Sequence, residues 1–417
     1  MKGRCMIMKK MIFFSCVLVF LGLLSWFLVN SFLLEEEREI GRLTNLQAAR
    51  ALEEKEIAVI NSFATQMYEN LAEEENLFFS PLSIYMALGM TYNGADGTTQ
   101  SEFEAVLGDD VALNELNREL QYRVLGYEEI DFELANSLWI RDSYREQVLD
   151  TFLETNQEYY GAKVSYLDFD QPASVDAIND WVAETTEGLI DEAVEEIDPL
   201  AVMFLINTIY FQGDWLNQFE EEETYKSDFM IDEDDLVEVD MMRQINNFDY
   251  YEDDEIQFIL LPYEGEETAM FVALPSEGEE FDFARIDDYV QSAQENATSV
   301  DFHMPRTEIS FRSSLKETLK EMGLVAAFSE TDADFSNMAQ DAREAGLHIH
   351  DVIHEAVLII DEVGTEAAAM TSVEMRVESV PHAEKEMKVN RPYNVGIIDF
   401  ETNAIMFTGR VDNPMSE

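Results

Sequence analysis

Nucleophiles, bases and metal ligands are scarce in this chain. The only cysteines are Cys5 and Cys16, so everything after residue 34 lacks a thiolate nucleophile, a disulfide and a cysteine metal site. The histidines are His303, His348, His350, His354 and His382. The run from His348 to His354 has metal-like spacing, and His350 and His354 would share a face if it were helical. Ala356-Val357-Leu358-Ile359-Ile360 follows, which indicates an extended chain, so structural hydrogen bonding is favoured and no metal is expected. Asp232-Glu233-Asp234-Asp235 resembles half a calcium loop without its glycine and reads as a solvated turn. Asn296-Ala297-Thr298 is a glycosylation sequon, a common signal. No Gly-x-Ser-x-Gly elbow, glycine-rich phosphate loop or His-Glu-x-x-His motif occurs. Neither an enzyme nor a cofactor is expected.

One segment stands out by its pattern. Residues 361–381 follow a strong apolar run and hold few large apolar side chains before Met375. At period two, Thr365, Ala367, Ala369, Thr371 and Val373 are all small and uncharged. The alternate set, Glu366, Ala368, Met370, Ser372 and Glu374, carries both charges. That is a strand with one buried and one wet face, and small buried residues would let it slide between existing strands. Gly364 can act as its pivot. An exposed alanine-rich linker fits the pattern equally well.

The elements around it read as follows. Residues 35 to about 75 are rich in Glu, Leu and Ala, with Ile57, Ile60, Phe63 and Met67 at helical spacing. Ser80 is placed to cap a second helix and Pro81 suits its first position. Residues 100–128 read as acidic helix, Phe132–Ile140 as strand, and 174–190 as helix with Ile178 and Trp181 on one face. Val202–Phe211 is a continuous apolar run around Asn207, as in a strand buried on both faces. Residues 225–275 read as short strands and turns, and Ala356–Ile360 and Ala404–Gly409 as strands. Helices come mostly first and strands mostly last, which indicates an α+β fold.

The chain has 417 residues, 47% of them hydrophobic, and a formal net charge of −61. It can bury a large core, but that charge excludes nucleic-acid binding and disfavours anionic lipid and heparin-like polymers. A solvated acidic surface suited to high salt is the favoured reading, and steering toward a basic partner is the other. Residues 1–34 stand apart: Lys2, Arg4, Lys9 and Lys10 precede an uncharged, largely apolar stretch from Met11 to Leu34. This is a cleaved signal peptide or an uncleaved signal anchor. Either places the rest, 35–417, outside the cell, secreted or anchored, with membrane contact only through residues 11–34 if they are retained.

Several segments resemble one family. Glu362-Val363-Gly364-Thr365-Glu366-Ala367-Ala368-Ala369 looks like the hinge of inhibitory serpins. Asn76–Ser83 resembles the family's Asn-Leu-Phe-Phe-Ser-Pro-x-Ser segment. Asn179, Trp181, Val182, Thr186, Gly188 and Ile190 match one of its helices, and Leu205–Trp215 one of its strands. Asn390–Tyr393 and Phe407–Pro414 match its closing motifs. Val389 departs, standing where many members have Phe. The resemblance implies the serpin fold, with helices packed around a large central β-sheet and an exposed reactive-centre loop at about 362–388. It also implies a suicide-substrate inhibitor of serine-type or cysteine-type endopeptidases. The protease cleaves the loop, is held as an acyl-enzyme, and is trapped when the loop inserts into the sheet. Counting along the family's loop from Gly364 puts the reactive bond at Glu378–Ser379. A glutamyl-specific protease is then the first expected partner, with elastase- or subtilisin-like enzymes next. Ser80, Ser83, Asn207 and His354 match the family's polar cluster that controls sheet opening, and Trp215 a residue near the loop's entry point. Few bases in 100–128 argue against glycosaminoglycan activation.

Overall fold

The structure is a computed structural model that describes residues 50–71, 76–190, 193–199, 201–232, 235–365 and 383–415. In chain order its elements are α1 (Glu54–Leu71), β1 (Leu77–Phe79), α2 (Pro81–Tyr92), α3 (Gly97–Leu107), α4 (Leu113–Val124), β2 (Asp131–Arg141), α5 (Asp150–Tyr160), β3 (Lys163–Leu167), α6 (Ala173–Thr185) and β4 (Met203–Asp214). There follow β5 (Tyr225–Met230), β6 (Leu236–Glu252), β7 (Ile256–Pro262), β8 (Thr268–Pro275), α7 (Ile286–Gln294), β9 (Ala297–Pro305), β10 (Thr307–Ser314), α8 (Lys316–Glu321) and α9 (Ala342–Ala345). The chain closes with β11 (Ile353–Ile360), β12 (Gly364–Thr365), β13 (Lys385–Lys388), β14 (Tyr393–Asp399) and β15 (Ile405–Val411).

Two sheets organise the fold. One runs β10-β11-β12-β4-β2-β3, and the other β1-β15-β14-β8-β7-β6-β9-β13 with β5 on β6. The α+β reading holds, with α1–α6 preceding most strands. Ser80 caps α2 as expected: its side chain accepts from the Ser83 amide, with Pro81 at the start of the helix. That cap fixes where α2 enters the space between the sheets. β2, α2 and the strand pair β14–β15 supply much of the large core.

Some expectations need correction. Of the helix read over 35 to about 75, the described residues show Glu54–Leu71; Arg50–Glu53 ahead of it is not helical, the Arg50 amide donates to Glu119 (2.9 Å), and 35–49 and 72–75 lie outside the described residues. The 100–128 region is two helices, because Gly108 takes φ +95° after α3, a left-handed turn that breaks the run. The helix read over 174–190 ends at Thr185; Thr186–Ile190 forms the turn after it. β4 is not buried on both faces along its length, since Met203–Asn207 are half-buried. The stretch read as short strands contains β6, which has 17 residues.

α6 covers one side of the β2–β4 part of the sheet through a separate small core. Trp181 packs edge-on against Trp139, with Ile178, Val182 and Ile190 beside them.

Candidate functional site

Where the strands flanking the hinge meet, the chain forms a tight turn. Asp361 accepts the amides of Val363 (2.8 Å) and Gly364 (3.1 Å) on Oδ1, and its own amide donates to Gly364 O (3.0 Å). β12 follows as a single rung between two strands: Thr365 lies opposite Ile360 of β11 and Gly213 of β4, and Gly364 opposite Asp214. Among the described residues the strand pairing that connects β4 to β11 within the sheet runs only through this rung. Beside it lies a largely apolar cleft whose lining includes Ile209, Phe211, Ala356, Thr365, Phe78 and Phe407.

Each contact around the rung has a cause in the sequence. Thr365 is buried, and its hydroxyl meets the Tyr263 hydroxyl at 2.7 Å. Tyr263 stacks on Trp215 (4.7 Å between centroids). The Trp215 indole donates to Asp361 O (2.9 Å) and its amide to Val363 O (2.8 Å). Burial works to raise the pKa of Glu362, but Arg306, across two N–H groups, and the Thr224 hydroxyl outweigh it and hold the carboxyl below its usual range. In the seated rung Gly364 does not take a positive φ. It is needed for close approach, because a Cβ there would lie 2.1 Å from Gly213 O.

A second polar group crosses the same sheet. His354 of β11 accepts the Ser80 amide on Nε2 (3.1 Å), and Ser80 Oγ donates to Met406 O (2.8 Å). Ser83 Oγ donates to Asn207 Oδ1 on β4. Asn207 passes its amide to Asn136 Oδ1 on β2 (2.7 Å), and Asn136 donates to Tyr160 O (2.8 Å). The N-terminal turn of α2 thus bridges β11 to β4 through side chains. Full burial pushes His354 down to about 4, so the imidazole is neutral and keeps its acceptor nitrogen. This positive role for His354 settles the hydrogen-bonding reading. His350 is exposed, and His348 bonds its own turn through Gly346 O.

Ser80, Ser83, Asn207 and His354 therefore come together as expected, with Trp215 beside the hinge. Glu366, Ala367, Ala368, Ala369, Glu378 and Ser379 lie outside the described residues. Three contributors were not singled out from sequence: Asn136, Tyr263 and Arg306. Asn136 carried a signal, being a polar residue in mid-strand between Ala135 and Ser137. Tyr263 and Arg306 carried none, because their importance arises from a contact with a residue about a hundred or 56 positions away.

A helix-bounded sheet carrying a docked hinge is the architecture of one protein class, and the comparisons agree. The family model for Serpin (serine protease inhibitor) matches residues 58–414. A serpin-like protein of Methanosarcina acetivorans is 33% identical, over 86% of this chain and 88% of that one. An alpha-1-antitrypsin homolog of Cyprinus carpio is 33% identical, over 76% and 86%. The native-state crystal structure of the thermophilic serpin tengpin superposes with a TM-score of 0.78 at 29% identity, covering 88% of this chain and 96% of that one. The chain belongs to the serpin family. Serpins are mostly protease inhibitors rather than enzymes, and the family includes members that do not inhibit.

Proposed function

We propose that this protein is an irreversible suicide-substrate inhibitor of serine-type endopeptidases, with cysteine-type enzymes as a secondary class. The observation that carries this reading is the seated rung. Thr365, small and uncharged, already occupies the first buried position between β4 and β11. Continued at the same register, insertion would set Ala367 between Phe211 and Leu358, and Ala369 between Ile209 and Ala356. Thr371 would then arrive between Asn207 and His354, at the cluster that holds the sheet to α2. Alanine and threonine at these places add little volume, so new strand pairs form without displacing the core.

The protease attacks the loop and forms an acyl-enzyme. Insertion then competes with hydrolysis, and the outcome depends on which is faster. Cleavage at Glu378–Ser379 fits a protease whose pocket offers a positive charge to the glutamate. The body is exported, either secreted or held at the membrane by residues 11–34.

The test is to mix the full-length protein with glutamyl-specific, elastase-like, subtilisin-like and trypsin-like proteases. A denaturant-resistant covalent complex and a released peptide beginning at Ser379 are expected. Cleavage without complex by every enzyme in the panel would overturn the inhibitory reading.

A further inference from the structure

We infer that Asp214 and Asp361 form a proton-sensitive latch on the hinge, seating Gly364–Thr365 between β4 and β11 in acid and loosening it toward neutral pH. The inference rests on the proposed function in one respect, that the hinge moves in and out of this gap.

The geometry begins with the rung. Gly364 lies opposite Asp214, and the Gly364 amide is held by the Asp361 carboxylate. Strand alternation puts Thr365, opposite Gly213, on the Tyr263 side, and puts Asp214 on the other. Seating the hinge therefore brings the Asp361 carboxylate to the backbone partner of Asp214. The two acids are not equivalent. Asp361 has two amide donors on Oδ1, whereas among the described residues no donor is found for the Asp214 carboxylate. Burial first, and the charge of Asp361 second, push Asp214 above the usual Asp value.

The surrounding groups do not relieve this. From the hinge turn, Glu362 is occupied by Arg306 and Thr224. From the β7–β8 turn, Glu264 donates its amide to Asp214 O, and its side chain is exposed and acidic. Arg306 is the cation at this turn, and its guanidinium is turned to Glu362. When the hinge leaves, Asp214 regains water and loses the neighbouring charge. The seated state is thus the one that holds the proton more tightly, so it gains as pH falls. Each pH unit of difference in that titration is worth about tenfold in the seating equilibrium.

The experiment is hydrogen–deuterium exchange on the full-length protein at pH 7.5 and pH 5, corrected for intrinsic exchange rates, reading the peptide that contains Val363, Gly364 and Thr365. In the parent protein, protection is expected to be higher at pH 5 than at pH 7.5. Asp214→Asn is expected to show high protection at both values. Asp361→Asn keeps the oxygen that accepts the two amides but removes the neighbouring charge, so its rise is expected to be smaller than the parent's, since the burial of Asp214 remains; it decides the matter if Asp214→Asn does not fold. A parent protein whose protection does not rise in acid, a rise that survives in Asp214→Asn, or a rise of the parent's full size in Asp361→Asn would overturn the latch. No protease is used, so a failed covalent complex would sink the inhibitory reading without touching this one.

Discussion

The hinge turn and the cluster at the N-terminus of α2 secure the same two strands, β4 and β11, by opposite physics. The hinge turn is crowded with carboxylates and stands partly in water; Arg306, which holds Glu362, is 44% exposed. The α2 cluster is neutral and buried except at half-buried Asn207, and it runs on amide, hydroxyl and imidazole hydrogen bonds. One region senses charge and the other excludes it. Their responses to acid therefore have opposite signs. Protonation relieves repulsion at the hinge, whereas protonation of His354 removes the only acceptor nitrogen facing the Ser80 amide and places a charge in the interior. A serpin sheet with these two fastenings would tighten at one point and weaken at the other as the pH falls.

The comparison breaks most sharply at Thr365. Replacing it by Arg would bury a long cation at a position 5% exposed, so the rung would not seat. Thr365→Arg is expected to turn inhibitor into substrate, with the inhibitor-to-protease ratio needed for full inhibition rising at least about tenfold, the equivalent of about 1.4 kcal/mol in the partition between trapping and hydrolysis. An unchanged ratio would reject the insertion model.

His354 comes next. Its folded pKa lies near 4, below the unfolded value, so between about pH 6.5 and 4 the unfolded chain binds the extra proton. Stability falls as pH drops through that window, by about 3 kcal/mol in all. Denaturant unfolding at pH 7 and pH 4.5 should reveal that loss, and His354→Gln should flatten the His-dependent part. The glutamine will itself cost about 1–3 kcal/mol at pH 7 if its amide fails to meet the Ser80 N–H.

The hinge ion pair is worth less, because water reaches Arg306. Arg306→Gln is expected to cost about 1–2 kcal/mol in unfolding free energy at pH 7. The pKa of Glu362 is depressed in the folded state. Its contribution is therefore present above the ordinary Glu value and lost as pH falls through the lower folded one. In Arg306→Gln that acid-side loss should shrink.

Salt gives the mildest separation of the two regions. Added chloride should raise the melting temperature by a few degrees by screening the acidic surface. The His354→Gln and parent proteins should respond alike, whereas Arg306→Gln should gain more than the parent, since its unpaired Glu362 benefits from screening. Equal gains in all three would deny the contrast.

Much of the cluster was legible in the sequence. Ser80-Pro81 announced a helix start by local chemistry, and the apolar run around Asn207 announced a strand. The hinge pattern from Thr365 onward could be read at period two without any partner in view. The failures were of two kinds. Gly108 divided a continuous acidic helix, because a single backbone angle outweighs the propensity of its neighbours. The need for glycine at 364 on the ground of close approach was not legible, because Gly213 lies on a strand some 150 positions earlier in the chain.

By itself, then, the sequence determined what its local patterns encode: an α+β chain, a capped α2 and a body without thiols. Tertiary structure alone decided that Asp214 pairs with Gly364, whose amide Asp361 holds, that Tyr263 receives Thr365, that Arg306 holds Glu362 and that Asn136 extends the His354 cluster. Periodicity and capping are set by neighbours along the chain, whereas these contacts join residues brought together only when the two sheets close around α2.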